Sequence, residues 1–88
     1  MVTSQGITER GAIKRLLRSD GYKEDTSMRT PYGVTMLSEQ GWRVRINGVS
    51  TAPKVEIYSP YGDLFHDCGE TTVAYVDAVL PRRSVLYS

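Results

Sequence analysis

The apolar residues of this chain follow two rhythms, and each predicts an element. From Thr8 to about Ser19, Ile13, Leu16 and Leu17 fall on one side of a helix, at three- and four-residue spacing. Thr8 suits the N-cap, and Gly21 suits the left-handed residue that stops such a helix. Arg10, Lys14 and Arg18 form a basic stripe well separated from the apolar one. From Val34 onward the period becomes two. Val34 and Met36 start it; Trp42, Val44 and Ile46 then alternate with Arg43, Arg45 and Asn47; Val55 and Ile57 alternate with Lys54, Glu56 and Tyr58. This predicts half-buried antiparallel strands. Ser38 to Gly41 turns the first into the second, and Asn47 to Pro53 reads as a longer exposed loop carrying Ser50 and Thr51. Ser59, Pro60, Tyr61 and Gly62 suit a type I turn, before a short fourth strand from Leu64 to His66. Asp67 with Glu70 three residues later looks like a capping box, opening a helix through Val73 and Val76 to Leu80 and Pro81.

The sum is an α+β fold: a twisted antiparallel sheet of three to four strands packed on a C-terminal helix, with an amphipathic helix at the N-terminal side. Residues 8–80 are expected to form a single domain, with the basic helix over 8–20 and the sheet and second helix over 34–80. Residues 1–7 are expected to be disordered and 81–88, with Arg82 and Arg83, to be a tail. Tyr22 to Arg29 is polar and reads as a loop, closed by a turn at Thr30, Pro31, Tyr32 and Gly33 that repeats the later Pro-Tyr-Gly signature without any wider repeat. The expected core is Trp42, Val44, Ile46, Val55, Ile57, Phe65, Val73 and Val76.

Length and charge narrow the function. The chain has 88 residues, 40% of them apolar, enough for one small core and too little for a deep, water-excluding cleft. Elaborate catalysis is not expected. Eleven Lys and Arg stand against ten Asp and Glu, which excludes coating of nucleic acid by bulk charge. The balance is uneven along the chain: between Val55 and Leu80 stand Glu56, Asp63, Asp67, Glu70 and Asp77, with no Lys or Arg. The lone Cys68 makes no internal disulfide and suggests a reducing, intracellular setting. No leader-like segment and no apolar run of about 20 residues is present, so a soluble chain without membrane contact is expected.

No catalytic, metal or cofactor motif stands out. His66 and Cys68 are two residues apart and could share a strand face, but no orienting group is visible. Asp63, His66 and Asp67 lack the fourth ligand and spacing of a metal site. Trp42 reads as a core anchor before a stacking platform. Tyr32, Tyr58 and Tyr61 read as interface residues, because tyrosine offers apolar area with a polar tip at small entropic cost.

Gly41, Trp42 and Arg43 opening a basic strand, then Tyr58, Ser59, Pro60 and Gly62, then Phe65 and a helix bearing Tyr75 and Val76, resemble the methyl-CpG-binding domain over residues 41–78. That resemblance implies a twisted sheet backed by one helix, with the loop between the two long strands presented to the DNA major groove, in a nuclear setting. The residues that read methylated CpG in that family are not matched. His66 stands where they carry Arg, Lys54 and Glu56 replace an Asp and a Tyr, and Asp63 follows Gly62. Imidazole lacks the planar fork that reads guanine.

Two function classes follow. The preferred one is a non-catalytic protein-interaction module in a chromatin or nucleic-acid assembly, with contacts at Tyr58, Tyr61, Ser50 and Thr51. The alternative is a DNA-binding domain without methyl specificity, using Arg43, Arg45, Lys54, Arg10, Lys14 and Arg18. Neither implies a cofactor, and the oligomeric state is open.

Overall fold

The computed structural model describes residues 8–28 and 33–81. The expectations for residues 1–7, for the turn through Thr30 to Tyr32 and for the tail with Arg82 and Arg83 lie outside the described residues.

The first helix forms as its pattern predicts. α1 spans Glu9–Ser19. Thr8 caps it, its hydroxyl accepting the Gly11 amide at 3.1 Å, and Gly21 stops it at φ +94°, a conformation only glycine takes without strain. Ile13 and Leu17 are fully buried and Leu16 partly. Asymmetry along α1 therefore comes from the spacing of three residues.

The sheet is larger than its periodicity announces: five antiparallel strands in chain order, β1 (Lys23–Glu24), β2 (Val34–Leu37), β3 (Arg43–Val49), β4 (Ala52–Tyr58) and β5 (Leu64–Glu70). β1 corrects the polar loop expected over Tyr22 to Arg29. Its two residues pair with Leu37 and Met36. A two-residue strand of Lys and Glu has no period to detect; it forms because β2 offers an edge, and because Tyr22 beside it is buried.

β3 and β4 pair without a shift from Arg43↔Tyr58 to Val49↔Ala52, so the loop expected over Asn47 to Pro53 is a tight hairpin with only Ser50 and Thr51 at its tip. Gly48 and Pro53, the residues that read as loop formers, face each other across the ladder. Gly48 sits at φ +82°. A long-range clamp also holds the tip. The Arg10 guanidinium donates to the Gly48 carbonyl at 2.8 Å, and the Arg10 amide donates to that of Ser50 at 3.0 Å.

β5 runs on to Glu70, past the expected end at His66, and carries two bulges. Asp67 is thus no helix cap: its carboxylate accepts the Gly69 amide at 3.0 Å inside the second bulge. The second helix, α2, spans Val73–Val79 with Thr72 as N-cap. Its first turn also takes a cap from afar, Glu9 Oε2 accepting the Val73 amide at 2.8 Å. That bond offsets the weak helix propensity of Thr71, Thr72 and Val73.

Both helices cover one face of the sheet. Ile13, Leu17, Val76 and Leu80 meet Val34, Met36, Val44, Ile46, Val55 and Ile57 in a single core. Five of the eight expected core residues are buried, while Trp42 and Val73 only flank the cluster and Phe65 remains 51% exposed. Phe65 escapes because it is the extra residue of the first β5 bulge, between His66, paired with Ile57, and Leu64, paired with Tyr58.

Candidate functional site

Among the described residues neither α1 nor α2 lies on the opposite face. The register places three bases and three acids there: Arg43 and Arg45 from β3, Lys54 and Glu56 from β4, Asp67 and Glu70 from β5. Three rows run across the three strands: Asn47, Lys54, Glu70; then Arg45, Glu56, Asp67; then Arg43, Tyr58, Leu64. On the β2 side the short 3₁₀ turn Thr26–Met28 packs against the sheet, and Thr35, the next outward position beside Arg45, is buried. The open area is therefore β3 to β5.

The charges of this face behave differently from those of α1. Lys14 Nζ and Arg18 Nη2 both reach Glu24 Oε1, at 3.5 and 3.7 Å. Arg10 is spent on the hairpin clamp. Among the described residues no ion pair within 4 Å holds Arg43, Arg45 or Lys54, and all three are exposed. Basic residues that look alike in the sequence thus divide into a set engaged inside the fold and a set facing outward.

Tyr58 ends β4 on the open face, between Arg43 of β3 and Leu64 of β5. Its hydroxyl donates to Glu56 Oε1 at 3.0 Å. That bond and partial burial push the phenol above its ordinary range; the Glu56 and Asp67 charges add to the rise and Arg45 opposes it. Tyr61 lies apart, at the tip of the turn from Ser59 to Gly62, and is 90% exposed. That turn forms as predicted, with the Gly62 amide on the Ser59 carbonyl at 3.0 Å. Ser50 and Thr51 stand at the far end of the β3–β4 hairpin, so the structure does not bring the four expected interaction residues together. Tyr58 alone among them joins Arg43, Arg45 and Lys54.

Sequence reasoning did not single out a second surface, on the helix side of β5. Trp42 and Phe65 meet edge to face with ring centroids 5.0 Å apart, and His66 Nε2 lies 2.9 Å from the Tyr75 hydroxyl on α2. The first β5 bulge turns Phe65 and His66 to the same side. An irregularity in one strand is invisible to a period-two pattern, which is why Phe65 read as core.

His66 is engaged with Tyr75, and burial together with Asp67 pushes the Cys68 thiol up, away from the thiolate a nucleophile needs. Among the described residues no three His, Cys, Asp or Glu side chains are placed to hold a metal ion, and no helix there is long and apolar enough to cross a membrane. Comparison of the chain with family models, with curated proteins and with solved structures finds no match.

Proposed function

We propose that this domain is a non-catalytic protein-interaction module whose contact surface is the open face of β3 to β5. The carrying observation is the pattern of that face: three bases and three acids interleaved, with Tyr58 at one end and the bases free of ion pairs among the described residues. A polyanion approaching Arg45 meets Glu56 and Asp67 in the same row. A protein surface with charges of both signs can answer the row position by position, and such complementarity sets specificity and orientation. Tyr58, half-buried and held by Glu56, adds a rigid amphipathic contact at one end of the face. The resemblance to the methyl-CpG-binding domain adds a setting, a chromatin or nucleic-acid assembly in the nucleus.

The unpaired Arg43, Arg45 and Lys54 favour a second reading, DNA binding through phosphates. Titration of methylated and unmethylated CpG duplexes at two salt concentrations separates the two. The interaction reading expects weak binding that ignores methylation and collapses as salt rises. A tenfold methyl preference that persists at the higher salt would overturn it. In parallel, Tyr58→Ala with Tyr61→Ala should weaken nuclease-resistant protein capture from nuclear extract while the thermal melt stays cooperative. Capture that vanishes on nuclease treatment assigns the face to DNA.

A further inference from the structure

We infer that the open face docks a second copy of this chain, sheet face to sheet face. This rests on the reading of that face as a protein contact and names the partner. Charge order carries it. β3 brings Arg43 and Arg45 to one flank of the face, and β5 brings Asp67 and Glu70 to the other, with Asp63 just ahead of it. β4 between them carries Lys54, Glu56 and Tyr58. A face positive on one flank and negative on the other is its own complement after a half turn.

Only one orientation of the two-fold axis uses this. An axis perpendicular to the strands lays β3 on β3 and arginine near arginine. An axis parallel to the strands, over β4, lays β3 of each copy on β5 of the other and β4 on β4, and keeps the rows in step. Arg45 of each copy then looks across at Asp67, the acidic end of its own row, in the other copy. Arg43 looks at Tyr58 and Leu64, whose ring and half-exposed aliphatic chain suit a guanidinium. Each contact is made twice, as a closed isologous interface requires. Other occupants answer the face less completely: a polyanion meets its acids, and an apolar partner finds Tyr58 and Leu64 at one end and Val49 at the other, with charges between them.

The turn Thr26–Met28 on β2 bounds the docking area to three strands. At about 4.8 Å between strands and about 3.3 Å per residue, that is roughly 330 Å² per copy. A standard interface buries about 800 Å² per partner, so the association is weak and electrostatically steered.

Sedimentation equilibrium of the full chain from about 10 μM to about 1 mM tests it, since an interface this small belongs in that affinity range. The mass should rise from monomer toward dimer with concentration, and fall back as salt is added. Arg45→Glu in one chain, or Glu56→Arg with Asp67→Arg in another, should each weaken self-association by about tenfold or more. Mixing the two variants should restore association to the wild-type level, as should all three changes in one chain. Arg45→Gln, a milder change for the fold, should weaken association several-fold, and a cooperative thermal melt verifies each variant. A wild-type chain that stays monomeric at the highest concentration, or variants that do not recover on mixing, would overturn the inference. If the chain is monomeric while Tyr58→Ala with Tyr61→Ala still weakens protein capture, the interaction reading stands and only the second copy is lost. If capture is unchanged as well, both fall.

Discussion

The two faces of this sheet come from the same strands and the same alternation, yet they do opposite work. Val44, Ile46, Val55 and Ile57 point to the helices and are fully buried, while Arg43, Arg45, Lys54 and Glu56, one residue away along each strand, face solvent. Charge divides the same way. On the covered side Glu24 gathers Lys14 and Arg18; on the open side no ion pair within 4 Å holds the bases among the described residues. The covered face holds the fold together and uses up its polar groups in doing so. Because Glu24 and the hairpin tip engage the basic stripe of α1, the bases without an ion pair among the described residues are those of the face that neither α1 nor α2 covers.

One substitution on each face should show the largest difference. Val44→Asp buries an unpaired carboxylate and should cost about 3 kcal/mol or more, enough to abolish cooperative folding in a domain this small. Arg45→Ala, at the next residue, should move stability by no more than about 0.5 kcal/mol. Denaturant melts of the two variants decide it, and equal effects would mean that the register described here is wrong.

Effects on the helical layer are smaller. Thr8→Ala removes the α1 cap and should cost about 1 kcal/mol at any salt concentration. Glu24→Gln removes the two ion pairs, but Arg18 keeps 54% of its side chain exposed and Lys14 24%, so solvent screening limits the loss to less than about 1 kcal/mol. Thermal melts at low and high salt distinguish them, because only the Glu24→Gln effect should shrink as salt is added.

The smallest effect sharpens the open side. The fold raises the Tyr58 phenol above its unfolded value, chiefly through the Glu56 hydrogen bond, so the native state holds that proton longer than the unfolded chain does. Its contribution to stability is fully present below the unfolded phenol pKa, about 10, and is lost as pH rises through the higher folded value. Melts at stepped alkaline pH should show this decline in the wild type and a shallower one in Tyr58→Phe. Identical slopes would mean that the hydroxyl is not held by Glu56 in solution.

Much of this was legible before any coordinates, where one physical cause acted locally. The 3.6 period of Ile13, Leu16 and Leu17 with Thr8 and Gly21 predicted α1 with its cap and its stop, and the alternation from Trp42 to Tyr58 predicted which residues of β3 and β4 face each way. Side-chain direction in a helix or strand follows from backbone geometry alone, and the demand that apolar residues leave water selects the inner face. The same alternation marked Arg43, Arg45, Lys54 and Tyr58 as outward.

Contacts between residues far apart in the chain decided the rest. Arg10 could not be read as the clamp of a hairpin tip 38 residues away, nor Glu9 as the cap of a helix 64 residues away. A hydrogen bond of this kind leaves no period and no spacing in the sequence. Glu24 sorted α1's basic stripe from the one on β3 for the same reason: a carboxylate's partner depends on which strand edge lies beneath the helix, and that is fixed only when the chain has packed. Local pattern therefore determined α1, β3 and β4 and the inward or outward sense of their side chains. Which charges were consumed and which stayed available to a partner was settled by the tertiary structure, because charge neutralisation depends on distance through space and not along the chain.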